Sequence, residues 1–107
     1  MSPINSRAKG KRAELALASI LAPYWPDVCR NIDQFGSKKN DLDGVPGVHL
    51  QVKWVESLNI WKALDQAITE ADPKDVPIVA FKRSRSPWFA ALELDELIPL
   101  LRLKEQG

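Results

Sequence analysis

Apolar and polar residues alternate from Val48 to Val55, and this run is the clearest strand signal in the chain. Successive side chains of a strand point to opposite faces, so Leu50, Val52 and Trp54 share one side while Gln51 and Lys53 share the other. Upstream, residues 8–21 read as an alanine-rich helix with Leu15, Leu17, Ala18 and Leu21 as its apolar stripe. Ser6 is its expected N-cap, and Pro23 and Pro26 lie past its end. A second helical pattern covers residues 59–71, with Ile60, Ala63, Leu64 and Ala67 on one side and a stop at Asp72 and Pro73.

The remaining segments fill in a sheet. Residues 27–32 and 41–45 read as short strands on either side of a polar loop over 33–40. Residues 76–81 are almost wholly apolar apart from Pro77, the mark of a central strand covered on both faces. Residues 88–92 read as a further strand and 94–103 as a closing helix. The predicted order is α-β-β-β-α-β-β-α, an α/β (α+β) fold with helices flanking a small mixed sheet. The helix between the strand at Val48 and the strand at Val76 predicts a right-handed crossover joining two parallel strands.

A length of 107 residues suits a single domain with one packed core, with residues 1–6 expected to be a flexible lead. Hydrophobic content of 45% and charged content of 27% are ordinary for a soluble globular protein. No apolar run approaches the ~20 residues that span a bilayer, and the polar, basic start lacks the apolar core of a secretion signal. A cytoplasmic protein without membrane contact is therefore expected. One cysteine, Cys29, rules out an internal disulfide and a Cys-based zinc site, and one histidine, His49, rules out a His-rich metal centre. Metal chemistry would have to use oxygen ligands, which suits Mg²⁺ or Mn²⁺.

The net charge of +1 argues for no partner, but its distribution does. Arg7, Lys9, Lys11 and Arg12 cluster near the start, Lys38 and Lys39 precede an acidic turn, and Lys82, Arg83 and Arg85 form a third group. Basic clusters around an acidic centre can track phosphates, although such groups are more often plain solvated surface. The acidic centre is Asp41 and Asp43 beside Gly44, ahead of Gln51 and Lys53. A carboxylate, a carboxamide oxygen and an ammonium gathered at a strand edge can hold one divalent cation beside one activated water, the equipment of phosphodiester hydrolysis.

The ordered set across the chain resembles the PD-(D/E)XK nuclease superfamily. It comprises Lys9, Lys11, Arg12 and Glu14 on the first helix, Asp41 with Asp43 and Gly44, the strand bearing Gln51 and Lys53, and Gln66 on the second helix. A basic turn before Trp88 completes it. Within that superfamily it is most similar to small phage and prophage proteins labelled Holliday-junction-resolvase-like, relatives of the VRR-NUC and archaeal resolvase groups. The resemblance covers roughly residues 6–101. It implies a restriction-endonuclease-like αβββαβ core and an Mg²⁺- or Mn²⁺-dependent endonuclease acting on DNA, with branched DNA such as Holliday junctions as substrate. It further implies a protein working in a phage's host cell, and symmetric cleavage of two strands would need two sites, so a homodimer is expected. By resemblance, Asp41 is the main metal carboxylate, Gln51 fills the second-acid position, Glu14 is an accessory ligand, Lys53 orients the water and Gln66 supports the centre as in RecB-like members. Lys9, Lys11, Arg12, Lys38, Lys39, Lys82, Arg83 and Arg85 would follow DNA.

Each of these residues also has an ordinary reading. Asp41 and Asp43 are favoured turn residues, and Asp43 rivals Asp41 for the ligand role. Lys53 suits a solvated strand face, and Glu14 suits an ion pair with a neighbouring base on its helix. His49 reads as surface or core. Trp54, Trp61, Phe81 and Phe89 read as core aromatics, and so does Trp88, although it is the aromatic most suited to lie near DNA. Gln51 departs from the family's acid, which weakens the expected cation affinity. Other DNA-processing nuclease tasks (nicking, flap removal) and a catalytically degenerate nucleic-acid-binding protein of the same fold stand as alternatives.

Overall fold

The structure, a computed structural model, describes residues 6–32 and 40–107. Its elements run α1 (Ser6–Leu21), β1 (Cys29–Arg30), β2 (Leu42–Asp43), β3 (Val48–Trp54), α2 (Ile60–Glu70), β4 (Val76–Lys82), β5 (Phe89–Ala91) and α3 (Leu94–Gln106). The strands form one mixed sheet in the order β1-β2-β3-β4-β5. Only β3 and β4 pair in parallel, with Leu50 opposite Ile78 and Gln51 opposite Val79; the other three pairs are antiparallel. The mixed α/β fold and the order of its elements are as expected, and α2 is the connection that lets β3 and β4 run parallel. Among the described residues, no helix is long and apolar enough to cross a membrane.

The alternation in β3 divides the core in two. On one face, Leu50 and Val52 pack with Ala13 and Leu17 of α1, Leu42 of β2 and Ala80 of β4, bordered by Trp54 and Trp88. On the other face, Ala63 and Ala67 of α2 close on Val79, bordered by Ile60, Leu64 and Phe81. Small alanines let both helices approach the sheet closely. Each larger aliphatic side chain buried there contributes roughly 1.5–3 kcal/mol. α2 starts where Asn59 Oδ1 accepts from the Lys62 amide at 3.1 Å, and it stops before Asp72, whose carboxylate accepts from the Lys74 amide at 2.9 Å.

Several expectations need correction. Ser6 is the first helical residue rather than the cap, and residues 1–5 of the expected lead lie outside the described residues. Leu15 is exposed: two positions from Leu17 it falls on another side of α1, and Ala13 takes the buried place one turn before Leu17. Trp61 is 78% exposed, one step off the Ile60, Ala63, Ala67 stripe, and Phe89 on the edge strand β5 is also exposed, its ring 5.9 Å from Phe81. β1 and β2 have only two residues each. α3 does not close the fold, for it contains no buried residue.

Candidate functional site

A chain of side-chain and backbone bonds places Asp41. Asn40 is buried, and its Nδ2 donates to the Leu42 carbonyl and, at 3.1 Å, to Asp43 Oδ1. Asn31 Nδ2 in turn donates to the Asn40 carbonyl at 3.0 Å, and the Asn31 amide donates to the Asp41 carbonyl at 3.0 Å. The Asp41 amide donates to the Leu50 carbonyl at 2.8 Å. Gly44, at φ +94°, completes the turn: a Cβ there would collide with the backbone of Asp27. The outcome is a 2.7 Å bond from the Val52 amide to Asp41 Oδ2. The carboxylate thus takes the acceptor position on β3 that a further β2 carbonyl would have filled, beside the residue flanked by Gln51 and Lys53.

The opposite face of β3 carries a buried polar chain. Gln51 and His49 are 2% and 3% exposed. Gln51 Nε2 donates to Glu70 Oε2 at 2.9 Å and lies 2.8 Å from His49 Nε2. Burial holds His49 below the usual imidazole range, against the opposing pull of Glu70 and Asp75. A neutral ring can accept at Nε2, so one amide nitrogen serves both neighbours. Glu70 ends α2, and it continues the buried row of Ala63 and Ala67 at the i+4, i+7 spacing. That row was legible in the sequence, yet Glu70 was not singled out; Gln66 was, and it is exposed. The α2 side chain that reaches the β3 polar face is Glu70.

Charge converges on Asp41 from both faces of the sheet. Its carboxyl is pushed up to about 6, first by burial and then by the neighbouring charges of Glu14 and Glu70, against the Val52 amide and Lys53, which pull it down. Glu14 sits over the β1 side of the sheet, where Arg30 Nε donates to its Oε1 at 2.8 Å. Its ion-pair partner is therefore on β1 rather than on its own helix. β2 leaves β3 after the Leu42 and Leu50 pair, and α1 faces the rest of that edge across a groove of about 380 Å³ lined by Lys9, Ala13, Val52, Lys53 and Trp54. Lys9 and Lys53 are half-buried in it.

Lys11 and Arg12 are exposed on α1, and Lys38 and Lys39 lie outside the described residues. Lys82 Nζ stands 4.3 Å from the ring centre of Trp54 and 5.9 Å from that of Trp88, and the two indoles meet edge to face. Arg83 and Arg85 are exposed in the turn after β4, which Ser86 Oγ stabilises by accepting from the Arg83 amide and which bends through Arg85 at φ +63°. The Ser84 amide and hydroxyl both donate to Glu56 Oε2 at 2.8 Å, fastening this turn to the segment after β3. Those two bonds hold the Glu56 carboxyl below its usual range, helped by the charges of Lys9 and Arg83, so α1, the end of β3 and the basic turn share one end. A depression of about 830 Å³ there is lined by Glu56, Phe81, Arg83, Arg85 and Phe89.

The structure therefore brings Lys53 and Lys9 to one groove, with Asp41 bonded to the Val52 amide that borders it and Glu14, Lys53 and Glu70 acting on the Asp41 carboxylate by their charge. Asp43 is turned into the bonding of Asn40, and Gln66 is exposed on α2. Among the described residues, no group of three or more Asp, Glu, His or Cys side chains is arranged to hold a metal ion. The oxygen donors around β3 are the Asp41 and Glu70 carboxylates and the Gln51 amide. No family model, curated protein or solved structure matches the chain.

Proposed function

We propose that the protein is a metal-dependent endonuclease that hydrolyses DNA phosphodiester bonds in the groove between α1 and the edge of β3, with branched DNA as its substrate. One observation carries the reading. The Asp41 carboxylate is anchored on the amide of Val52, the residue between Gln51 and Lys53 on β3, and Val52 and Lys53 line a groove together with Lys9. Membership of the PD-(D/E)XK superfamily and the choice of a four-way junction rest on sequence resemblance.

The donor set suits a hard cation. Mg²⁺ commonly takes one or two carboxylates, keeps several waters and completes its shell with substrate phosphate oxygens. Asp41, destabilised as an anion by burial and by Glu14 and Glu70, would gain from a positive neighbour. Asp41 would hold the ion, with Gln51 or Glu70 contributing a second oxygen. When bound, such an ion supplies a water acidic enough to act as nucleophile at neutral pH and a sink for charge on the phosphate. Lys53 donates to the attacking water or to a non-bridging oxygen, and Lys9 steadies the strand that crosses the groove. Arg83, Arg85 and the α1 bases extend the positive surface for flanking phosphates.

The test is cleavage of a labelled four-way junction, with duplex and single-stranded controls, in Mg²⁺, Mn²⁺ or EDTA, beside Asp41→Ala. Cation-dependent cuts that vanish in the variant are expected, with the junction preferred. Cutting retained by Asp41→Ala overturns the site. The second reading, a binding protein that has lost catalysis, is favoured by one feature: the Gln51 amide is already satisfied by Glu70 and His49 without a cation. Tight junction binding without cleavage in any metal would establish it.

A further inference from the structure

α3 carries an apolar face that it does not bury. Leu94, Ile98 and Leu101 recur at i, i+4 and i+7, one stripe of a helix, and are 65%, 46% and 49% exposed. Nothing in α3 is buried among the described residues. The helix is carried outside the packed body. The radius of gyration, 14.3 Å, exceeds the roughly 13 Å of a compact chain of this length. An apolar stripe of this kind on a helix that makes no core is a docking face.

The charges beside the stripe select its occupant. Asp95 and Arg102 are seven residues apart, so they lie on the same flank, one near each end of the helix. In two antiparallel helices related by a twofold axis, like flanks face each other. Asp95 of one copy then meets Arg102 of the other, and the same contact recurs across the axis. In a parallel pair Arg102 would face Leu97 instead, and no carboxylate would meet it. Among the described residues of one copy, Arg102 pairs with Glu105 at 3.6 Å with both side chains mostly exposed, a weak contact that leaves the guanidinium able to turn. Pro99, which lacks a backbone donor, falls on the opposite side of the helix from the stripe.

We propose that the Leu94, Ile98 and Leu101 face of α3 seats a second copy of this chain, docked antiparallel about a twofold axis. The proposal assigns a surface to the homodimer that symmetric cleavage of a junction would need, and it stands on α3 alone. A 13-residue helix is about 20 Å long. Two of them bury less than the ~1,600 Å² of a standard interface, so the dissociation constant falls on the order of 1–100 μM.

Sedimentation equilibrium of the full chain, without DNA or cation, tests this, and the nuclease assay stays separate from its result. A monomer–dimer equilibrium is expected, with Ile98→Asp plus Leu101→Asp weakening it at least ~100-fold while the circular dichroism is unchanged. Arg102→Glu should weaken it about 5–10-fold. Asp95→Arg combined with Arg102→Asp should return it to within about 3-fold of the parent, since both new charges meet across the axis. A chain that stays monomeric at about 300 μM overturns the proposal. Dimerisation that is indifferent to the two apolar substitutions overturns it too, and loss on Arg102→Glu without recovery in the charge-exchanged variant overturns the antiparallel arrangement.

Discussion

The two faces of β3 are made by the same seven residues and serve different ends. Toward α1 the strand presents Leu50 and Val52, both buried, and Trp54 at the border of that core. Toward α2 it presents His49 and Gln51, buried in a polar chain ending on Glu70, followed by Lys53 at the groove. The first face is held by dispersion and water exclusion, which tolerate exchange of one apolar side chain for another of similar volume. The second is held by directional bonds in a low-dielectric setting, where each partner is needed by the next. Apolar packing is thus concentrated on one side of the strand and directional bonding on the other, with Asp41 anchored to the backbone of Val52.

The sharpest break of that comparison is a crossed pair of substitutions. Lys53→Ala is expected to lower the cleavage rate by about 10²–10³-fold, as removal of one group that stabilises developing charge does. It should change stability by less than about 1 kcal/mol, because the side chain is half-buried and lines the groove rather than the core. Leu50→Ala should do the reverse. It deletes a side chain that is 7% exposed, at a cost of about 2–4 kcal/mol in urea unfolding, while the folded fraction keeps its turnover. Equal losses of stability from the two, or full activity in Lys53→Ala, would erase the distinction between the faces.

A smaller effect should follow pH. The folded Asp41 carboxyl is pushed up to about 6 from an ordinary 3.8, so the folded state holds the proton more tightly than the unfolded chain. Its contribution is therefore favourable below pH 4 and is lost as pH rises through 6. Asp41→Asn keeps an oxygen for the Val52 amide and removes the titration. The variant should become more stable than the parent above pH 6, by about 1–2 kcal/mol after allowance for partial exposure, and the gap should close near pH 4. Mn²⁺ should narrow the gap at pH 7 by stabilising the parent alone. A difference that is flat with pH would mean that burial and the Glu14 and Glu70 charges do not act on this carboxylate.

What was legible in the sequence follows the same division. Patterns of burial were readable: the alternation of β3, the Ile60, Ala63, Leu64, Ala67 stripe of α2 and its stop at Asp72 all stand as expected. β1 and β2 were harder to bound, because two-residue strands are held by the bonds of Asn31 and Asn40 and by the close approach at Gly44 rather than by any period. The anchoring of Asp41 on the Val52 amide depends on the register that sets Leu42 opposite Leu50, which no local pattern states. Glu70 was missed for the opposite reason. It extends a readable stripe, but the pattern the sequence resembles names a helix-borne glutamine, and that position falls on Gln66, which is exposed.

The finest probe of the polar face is Gln51→Glu, which puts an acid where the PD-(D/E)XK pattern that the sequence resembles carries one. In the present structure Gln51 Nε2 donates to Glu70 Oε2 at 2.9 Å, so the substitution sets two carboxyl groups against each other in a buried site. One of them must keep a proton unless a cation lies between them. At pH 5 that proton is readily held, and the variant should lose only about 1 kcal/mol of stability without metal, the loss growing as pH rises. A divalent cation replaces the proton. Mn²⁺ should therefore raise the Tm of Gln51→Glu more than that of the parent, and cleavage should be kept or increased. If Mn²⁺ leaves the variant's Tm unchanged and activity is lost, Gln51 and Glu70 form only a structural brace on the α2 side of β3. The catalytic reading would then rest on Asp41 and Lys53 alone.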